Sequence, residues 1–308
     1  MSNWTAKNLP DMEGKTALVT GANSGIGFEA TKKLVEHNAK VIMACRIREK
    51  GLDAQEEIEK EVENADLEVK QVDLASLNSV KEFAEEVNSE YEKIDMLFNN
   101  AGIMAIPRRE TEDSLEYQIG VNHFGHFALT GQILEKLEAS DGEARIVTQS
   151  SIAHTSGDID LEDINHEEEY DRWQAYSDSK LANVLFGKEL DRKLDENNTD
   201  ITSVVSHPGV SKTNLFNADE SQHNVIVSKL MSLGLKVFGH SPKSACLPML
   251  YAATSEEIEG GEYVGPGGFR SIRGYPEVQN PSEKALDEEL AEDLWNLSEE
   301  LTGVEYDL

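Results

Sequence analysis

Tyr176 and Lys180 stand four residues apart in the run Tyr176-Ser177-Asp178-Ser179-Lys180. On a helix that spacing puts both side chains on one face, a turn apart. An ammonium beside a phenol favours the phenolate and lowers a pKa that is ~10 when unperturbed. The pair is then a general acid/base usable near neutral pH. Taken alone the spacing is weak, because long helices carry such pairs by chance. Three further features strengthen it: Asn99-Asn100-Ala101-Gly102, the serine pair Ser150-Ser151, and a glycine-rich loop near the N-terminus.

That loop reads Thr20-Gly21-Ala22-Asn23-Ser24-Gly25-Ile26-Gly27, between an apolar run and a stretch of helical period. Glycines at G-x3-G-x-G let the backbone turn tightly and approach a pyrophosphate with no Cβ in the way. The anion would sit over the helix N-terminus, where unpaired N–H groups and the helix dipole favour it. A dinucleotide is the expected ligand. The second strand should decide which one. A carboxylate at its end would bind a ribose 2′-hydroxyl, whereas Arg accommodates a 2′-phosphate. Here the chain reads Ala44-Cys45-Arg46, with Arg48 and Lys50 nearby. NADP(H) is the expected preference and NAD(H) the lesser partner, although an ordinary exposed Arg after a strand is the plainer alternative. Cys45 reads as a small buried hydrophobe, since nothing in the sequence activates it.

The elements that must position these groups alternate along the chain. Apolar runs at Thr16–Thr20, Lys40–Cys45, Leu67–Val72, Ile94–Asn99, Arg145–Ser150 and Ile201–Ser206 predict strands. Helical period at Ile26–Glu36, Glu49–Val62, Val80–Tyr91 and Ala175–Leu194 predicts helices between them. Short β alternating with amphipathic α predicts βαβ units and a mainly parallel sheet with helices on both faces. With no repeat and no Pro/Ser-rich linker, one domain is expected across residues 1–308. Its core would be residues 14–210, its lid 211–245 and its C-terminal part 246–308.

Charge narrows the function classes. The 308 residues carry 28 Lys+Arg against 59 Asp+Glu, a net charge of −31. Such a surface repels phosphate backbones and anionic headgroups, so neither nucleic acid nor membrane is an expected partner. No apolar run approaches the ~20 residues of a membrane span. The N-terminal stretch lacks the pattern of a secretory signal. Two cysteines, Cys45 and Cys246, make no disulfide framework, which fits a reducing cytoplasm. A charge of −31 far exceeds the magnitude of about 2–8 that solubility asks of a small domain. Molar salt shortens the Debye length to ~3 Å and screens such self-repulsion, so a high-salt cytoplasm is expected. The 19 Lys against 9 Arg run counter to the Arg preference of many halophilic proteins.

Together the glycine loop, Asn99–Gly102, Ser150-Ser151 and the Tyr/Lys pair resemble the short-chain dehydrogenase/reductase family, over nearly the whole chain from about Lys15. The likeness sharpens to a retinol-dehydrogenase-like branch at Val121-Asn122-His123-Phe124-Gly125-His126-Phe127, Ser150–His154, Tyr176–Phe186, His207-Pro208-Gly209-Val210, Tyr263–Gly268 and Glu300–Gly303. The resemblance implies a Rossmann-type, doubly wound, mainly parallel seven-stranded sheet. It implies that Tyr176 exchanges a proton with the substrate oxygen, and that Lys180 lowers the Tyr176 pKa and bonds the nicotinamide ribose. Ser151 would steady the substrate oxygen, and Asn122 would hold a water linking Lys180 to solvent. Cofactor contacts are implied for Gly21, Asn23, Ser24, Gly25, Ile26, Gly27, Arg46, Asp73, Leu74, Asn100, Ala101, Gly102, Tyr176, Lys180, Pro208, Gly209, Val210 and Thr213. The 25 residues from Ser151 to Tyr176 hold an acidic insertion, Ala153–Ala175, as that branch does.

The expected activity is interconversion of a carbonyl, aldehyde or ketone, and an alcohol. Other classes weigh less. His123, His126 and His154 read as packing or hydrogen-bonding histidines, and no metal is expected. A non-catalytic NADP sensor of the same fold would be expected to have lost Tyr176 or Lys180. A nucleotide-sugar epimerase or dehydratase shares the pair, but the G-x3-G-x-G loop and Asn99–Gly102 argue against it. In the lid, Val225, Ile226, Val227, Leu230, Met231 and Leu233 suit a small hydrophobic substrate, or simply pack against the core. A homodimer or homotetramer is the expected assembly.

Overall fold

A computed structural model of the chain describes residues 3–209, 241–268, 271 and 273–308. Its eight strands form one sheet in the order β3-β2-β1-β4-β5-β6-β7-β8. They are β1 (Thr16–Thr20), β2 (Lys40–Cys45), β3 (Leu67–Gln71), β4 (Met96–Asn99), β5 (Ala144–Gln149), β6 (Ile201–Ser206), β7 (Tyr263–Pro266) and β8 (Pro276–Gln279). All neighbours pair in parallel except β7 with β8. The expected parallel, doubly wound α/β sheet is therefore present, and its first six strands follow the 3-2-1-4-5-6 order of dinucleotide-binding folds.

Among the described residues the sheet has eight strands where seven were expected. β8 has four residues, starts with Pro276 and carries one large hydrophobe, Val278, which is exposed. It buries no apolar row, so no period-2 pattern marks it. Backbone pairing with β7 alone makes it a strand.

Along β1, Ala17 and Val19 pack into the cluster on one face, and Leu18 into the cluster on the other. Burial on both faces is why parallel strands read as continuous apolar runs. Helix α1 (Gly25–Glu36) covers the first face with α2 (Arg48–Glu59). The second is covered by α3 (Leu77–Glu90), by α4 (Tyr117–Ile119) with α5 (Gly125–Gln132) and α6 (Leu134–Glu138), and by α7 (Arg172–Glu196). Beyond β6 follow α8 (Pro242–Ala245), α9 (Leu247–Thr254) and α10 (Glu288–Thr302).

Helix α7 starts three residues before the sequence pattern predicts. Asp171 caps it, its carboxylate accepting from the Trp173 and Gln174 amides at 2.9 Å each. α10 ends at Gly303, whose φ of +66° is the left-handed conformation that closes a helix without Cβ strain. Between α4 and α5 the backbone widens into a π turn, Gly120–Phe124, where the Gly125 amide bonds the Gly120 carbonyl five residues back. Such turns concentrate at functional positions, and this one carries Asn122 and His123.

Among the described residues no helix is long and apolar enough to cross a membrane. Most of the expected lid lies outside the described residues.

Candidate active site

The C-terminal ends of β1, β4, β5 and β6 meet where strand order reverses between β1 and β4. In open parallel sheets that crevice is where ligands bind. Thr20, the last residue of β1, organises it. Its Oγ1 accepts the Asn100 and Ala101 amides at 2.9 Å each, and the Asn100 side-chain amide donates to the Thr20 carbonyl at 2.8 Å. These bonds fasten the turn after β4 to the glycine loop.

Gly21 turns with φ +68° and Gly25 with φ +58°. A Cβ on Gly27 would strike the Gly21 carbonyl and would lie 2.6 Å from Asn100 Nδ2, so only glycine fits there. Ser24 makes no side-chain bond to the amides that open α1. The loop thus presents a close backbone and a helix start without a side-chain cap, which fits a pyrophosphate. Asn100 and Ala101 lie against Gly21, Asn23 and Ile26 are part of the same loop and helix start, and Gly102 follows Ala101 in the chain. A Cβ on Gly102 would lie 3.0 Å from Asn122 Oδ1 and 3.4 Å from Lys180 Nζ.

Tyr176 and Lys180 lie on α7, both buried. Burial pushes the Tyr176 phenol above its ordinary value, and a hydrogen bond with Ser151 pulls it back. Burial pushes the Lys180 ammonium down to about 8. Lys180 Nζ donates to the Gln149 carbonyl at 3.1 Å. Asn122 Nδ2 donates to the Ile103 carbonyl at 3.0 Å and to Ser179 Oγ at 2.8 Å, and Ser179 Oγ donates to the Tyr176 carbonyl at 2.8 Å. Ser151 opens a 3₁₀ turn, Ile152–Ser156, and accepts the Ala153 amide at 3.2 Å. Residues from three separate chain segments thus come together here: Tyr176, Ser179 and Lys180 on α7, Asn122 in the π turn bonded to Ser179, and Ser151 after β5 beside the Tyr176 phenol. An acid, a base and two hydrogen-bonding groups there can move a proton to or from an oxygen.

The remaining expected contacts among the described residues lie in the loops that follow β2, β3 and β6. Asp73 Oδ1 accepts the Ala75 amide at 3.0 Å, and Leu74 packs against Gly125. Pro208 and Gly209 follow β6, with the Gly209 amide donating to His207 Nδ1 at 3.2 Å. Arg46 follows β2 and its Nη1 donates to the Tyr117 hydroxyl at 3.2 Å. Val210 and Thr213 lie outside the described residues. Cys45 is fully buried, which pushes its thiol up to about 11.

Several residues here carry no readable signal in the sequence. Thr20 could have been found as the residue between strand and glycine loop; Gln149 and Tyr117 could not. His126 is a further addition. Its Nδ1 lies 3.0 Å from the Asn122 carbonyl and its Nε2 lies 2.9 Å from Thr20 Oγ1. A carbonyl only accepts, so Nδ1 carries the proton and Nε2 is an acceptor facing the Thr20 hydroxyl, whose single proton also faces the Phe98 carbonyl at 3.1 Å. Burial holds this imidazole neutral, down to about 4. His123 bonds Ser298 of α10 at 2.9 Å through Nε2, and its pKa falls to about 3. His154 Nδ1 donates to the Ser151 carbonyl at 2.8 Å. Among the described residues no group of three or more His, Cys, Asp or Glu is arranged to hold a metal ion.

The acidic insertion is fastened down rather than loose. Tyr170 donates to the Ile106 carbonyl at 2.9 Å, and His166 Nε2 lies 3.2 Å from Asp178 Oδ2 on α7.

Comparison with known proteins places the chain in a family. A family model described as short chain dehydrogenase matches residues 15–224. Retinol dehydrogenase 13 of Mus musculus is 42% identical over 296 residues, covering 94% of this chain and 84% of that protein. Retinol dehydrogenase 14 of Homo sapiens is 38% identical over 308 residues, covering 95% and 88%. The crystal structure of an uncharacterized protein from Mycobacterium Paratuberculosis superposes with TM-score 0.82 at 37% identity, over 100% of both chains. The fold extends to RhlG of Pseudomonas aeruginosa in its NADP active-site complex, with TM-score 0.64 and 22% identity over 82% of this chain and 94% of that one. The chain belongs to the short-chain dehydrogenase family, in its retinol-dehydrogenase-like branch, and is an oxidoreductase acting on CH–OH groups.

Proposed function

We propose that the chain is an NADP(H)-dependent oxidoreductase interconverting a small hydrophobic alcohol and its aldehyde or ketone, with Tyr176 as general acid/base. The carrying observation is the buried Tyr176 phenol, whose pKa the neighbouring Ser151 lowers, one helical turn from a buried Lys180. The nicotinamide cofactor, held by the loop Gly21–Gly27, Arg46, Asp73, Leu74 and Asn100–Gly102, supplies the hydride chemistry when bound. Pro208, Gly209, Val210 and Thr213 complete that contact set.

Tyr176 gives its phenolic proton to the substrate oxygen in reduction and takes it back in oxidation. Ser151 holds that oxygen beside the phenol. The Lys180 ammonium, once a second charge or hydroxyl shares the crevice, favours the phenolate and so lowers the cost of proton transfer. Asn122, bonded to Ser179 and Ile103, would hold a water between Lys180 and solvent. A site closed to bulk water strengthens each of these bonds.

Relatives named for retinol support a hydrophobic alcohol as the substrate class. A single domain with residues 211–245 as lid, a cytoplasmic location at high salt and a homodimer or homotetramer complete the reading. A panel of aldehydes and ketones offered with NADPH tests it, with absorbance loss reporting turnover. No turnover of any carbonyl alongside tight NADPH binding would favour a sensor of the same fold.

A further inference from the structure

Two guanidinium groups converge on one aromatic ring just beyond β2. Arg46 Nη1 donates to the Tyr117 hydroxyl at 3.2 Å, and the Arg109 guanidinium carbon lies 3.6 Å from the centre of the same ring. Tyr117 is 9% exposed, while both arginines are exposed.

The arrangement is built by the backbone. The Tyr117 amide donates to the Arg109 carbonyl at 3.0 Å and the Thr111 amide to the Leu115 carbonyl at 2.8 Å, so residues 109–117 close into a fixed turn. Three of the carboxylates in that turn are engaged elsewhere, Asp113 accepting the Leu77 amide at 2.8 Å. Glu110 pairs with Arg108 at 3.0 Å, and Glu116 accepts the Gln118 and Ile119 amides at 2.8 and 3.0 Å. Among the described residues neither Arg46 nor Arg109 is paired with a carboxylate, in a chain that holds 59 acidic residues. Two like charges repel each other when brought to one ring, and that cost is offset when an anion joins them.

A guanidinium laid flat on an aromatic ring keeps its N–H donors free around its edge. A free Arg at a strand end samples many rotamers, whereas one tied to a buried hydroxyl is already partly ordered. We infer that Tyr117 is a positioning residue that orients Arg46 toward a ribose 2′-phosphate, and that Arg109 is the second cation of the same phosphate site. This rests on the NADP(H) reading of Arg46, and it goes further by requiring two residues 60 or more positions away in the chain.

The test uses the full chain at fixed molar KCl, by calorimetric titration. The probes are adenosine 2′,5′-bisphosphate, which carries the 2′-phosphate, and adenosine 5′-phosphate, which lacks it. Wild type and Arg46→Ala establish the parent reading: wild type binds the bisphosphate more tightly and Arg46→Ala loses that margin. Tyr117→Phe keeps the ring under Arg109 and removes one charge-assisted bond, so bisphosphate affinity should drop about threefold to tenfold. Arg109→Gln keeps a flat side chain without charge and should cost about tenfold on the same probe. Arg109→Lys should recover part of that loss. Neither Tyr117→Phe nor Arg109→Gln should move the monophosphate by more than about twofold. If Arg46→Ala loses the margin while both other variants bind the bisphosphate as wild type does, the inference fails and the parent reading stands. Equal weakening of both probes, with a lowered melting temperature, assigns the ring to pinning the turn and also overturns the inference. A wild type that does not favour the bisphosphate overturns both.

Discussion

Lys180 Nζ donates to the Gln149 carbonyl at 3.1 Å, and the same carbonyl accepts Asn183 Nδ2 at 3.0 Å. Ser150 Oγ returns a bond to the Lys180 carbonyl at 2.7 Å. The end of β5 and the middle of α7 are thus locked in register, with Ser151 following directly from the strand. The ammonium is placed by backbone rather than by a carboxylate, so no counter-charge raises its pKa, and burial brings it down to about 8.

A pH profile follows from that value. Lys180 is protonated below about 8 and loses its charge above it. Carbonyl reduction should therefore decline in kcat/KM as pH rises through about 8, the range that reports free-enzyme groups. Lys180→Arg, with a group that stays charged, should lower the rate and move that decline upward. A profile flat to strongly alkaline pH would contradict the role given to Lys180.

The histidines should act on stability in opposite senses. His123 and His126 are buried neutral, with values lowered from 6.5 to about 3 and about 4. The unfolded chain takes up these protons first, so their contribution is complete above 6.5 and is lost as pH falls below it. Each costs about 1.4 kcal/mol per pH unit in that window. His166 is raised by Asp178, so its contribution is present below 6.5 and is lost as pH rises through the raised folded value. Its φ of +50° suits Asn. His166→Asn should lower the melting temperature more at pH 6 than at pH 8, and a pH-independent loss would refute the pairing. Wild type should also melt earlier as pH drops from 6.5 toward 4.5.

The net charge of −31 sets a salt dependence. Exposed carboxylates repel over a Debye length that shrinks to ~3 Å in molar salt. The melting temperature should rise steeply between low salt and molar KCl. A flat response would remove the high-salt reading.

Cofactor choice should turn on Arg46. Charge-assisted bonds to phosphate contribute ~1.5–3 kcal/mol, a preference of roughly tenfold to a hundredfold. Arg46→Asp should weaken NADPH sharply and raise use of NADH, read as kcat/KM for both at fixed high salt. An unmoved ratio would contradict the assignment.

The fold was readable because its strands are buried on both faces and its helices on one. Alternating runs then carry a period, and the glycine loop marks where the first of them turns. β8 was not, since it is held by backbone pairing at an edge and buries no apolar row. Tyr176 and Lys180 were visible because a helix converts a spacing of four into one face. Tyr117 meets Arg46 across 71 positions, and His126 meets Thr20 across 106. Contacts of that range leave no local pattern, so only the folded chain reveals them.

The central claim is that Tyr176 is the proton donor and acceptor of an alcohol–carbonyl oxidoreductase, and Tyr176→Phe tests it most directly. The measurement is single-turnover reduction of a carbonyl that wild type accepts, beside NADPH affinity by titration of the same sample. General acid/base catalysis contributes about 10²–10⁴-fold, so the variant should lose at least that much in rate while still binding NADPH. Turnover within about threefold of wild type would place the proton transfer on another group.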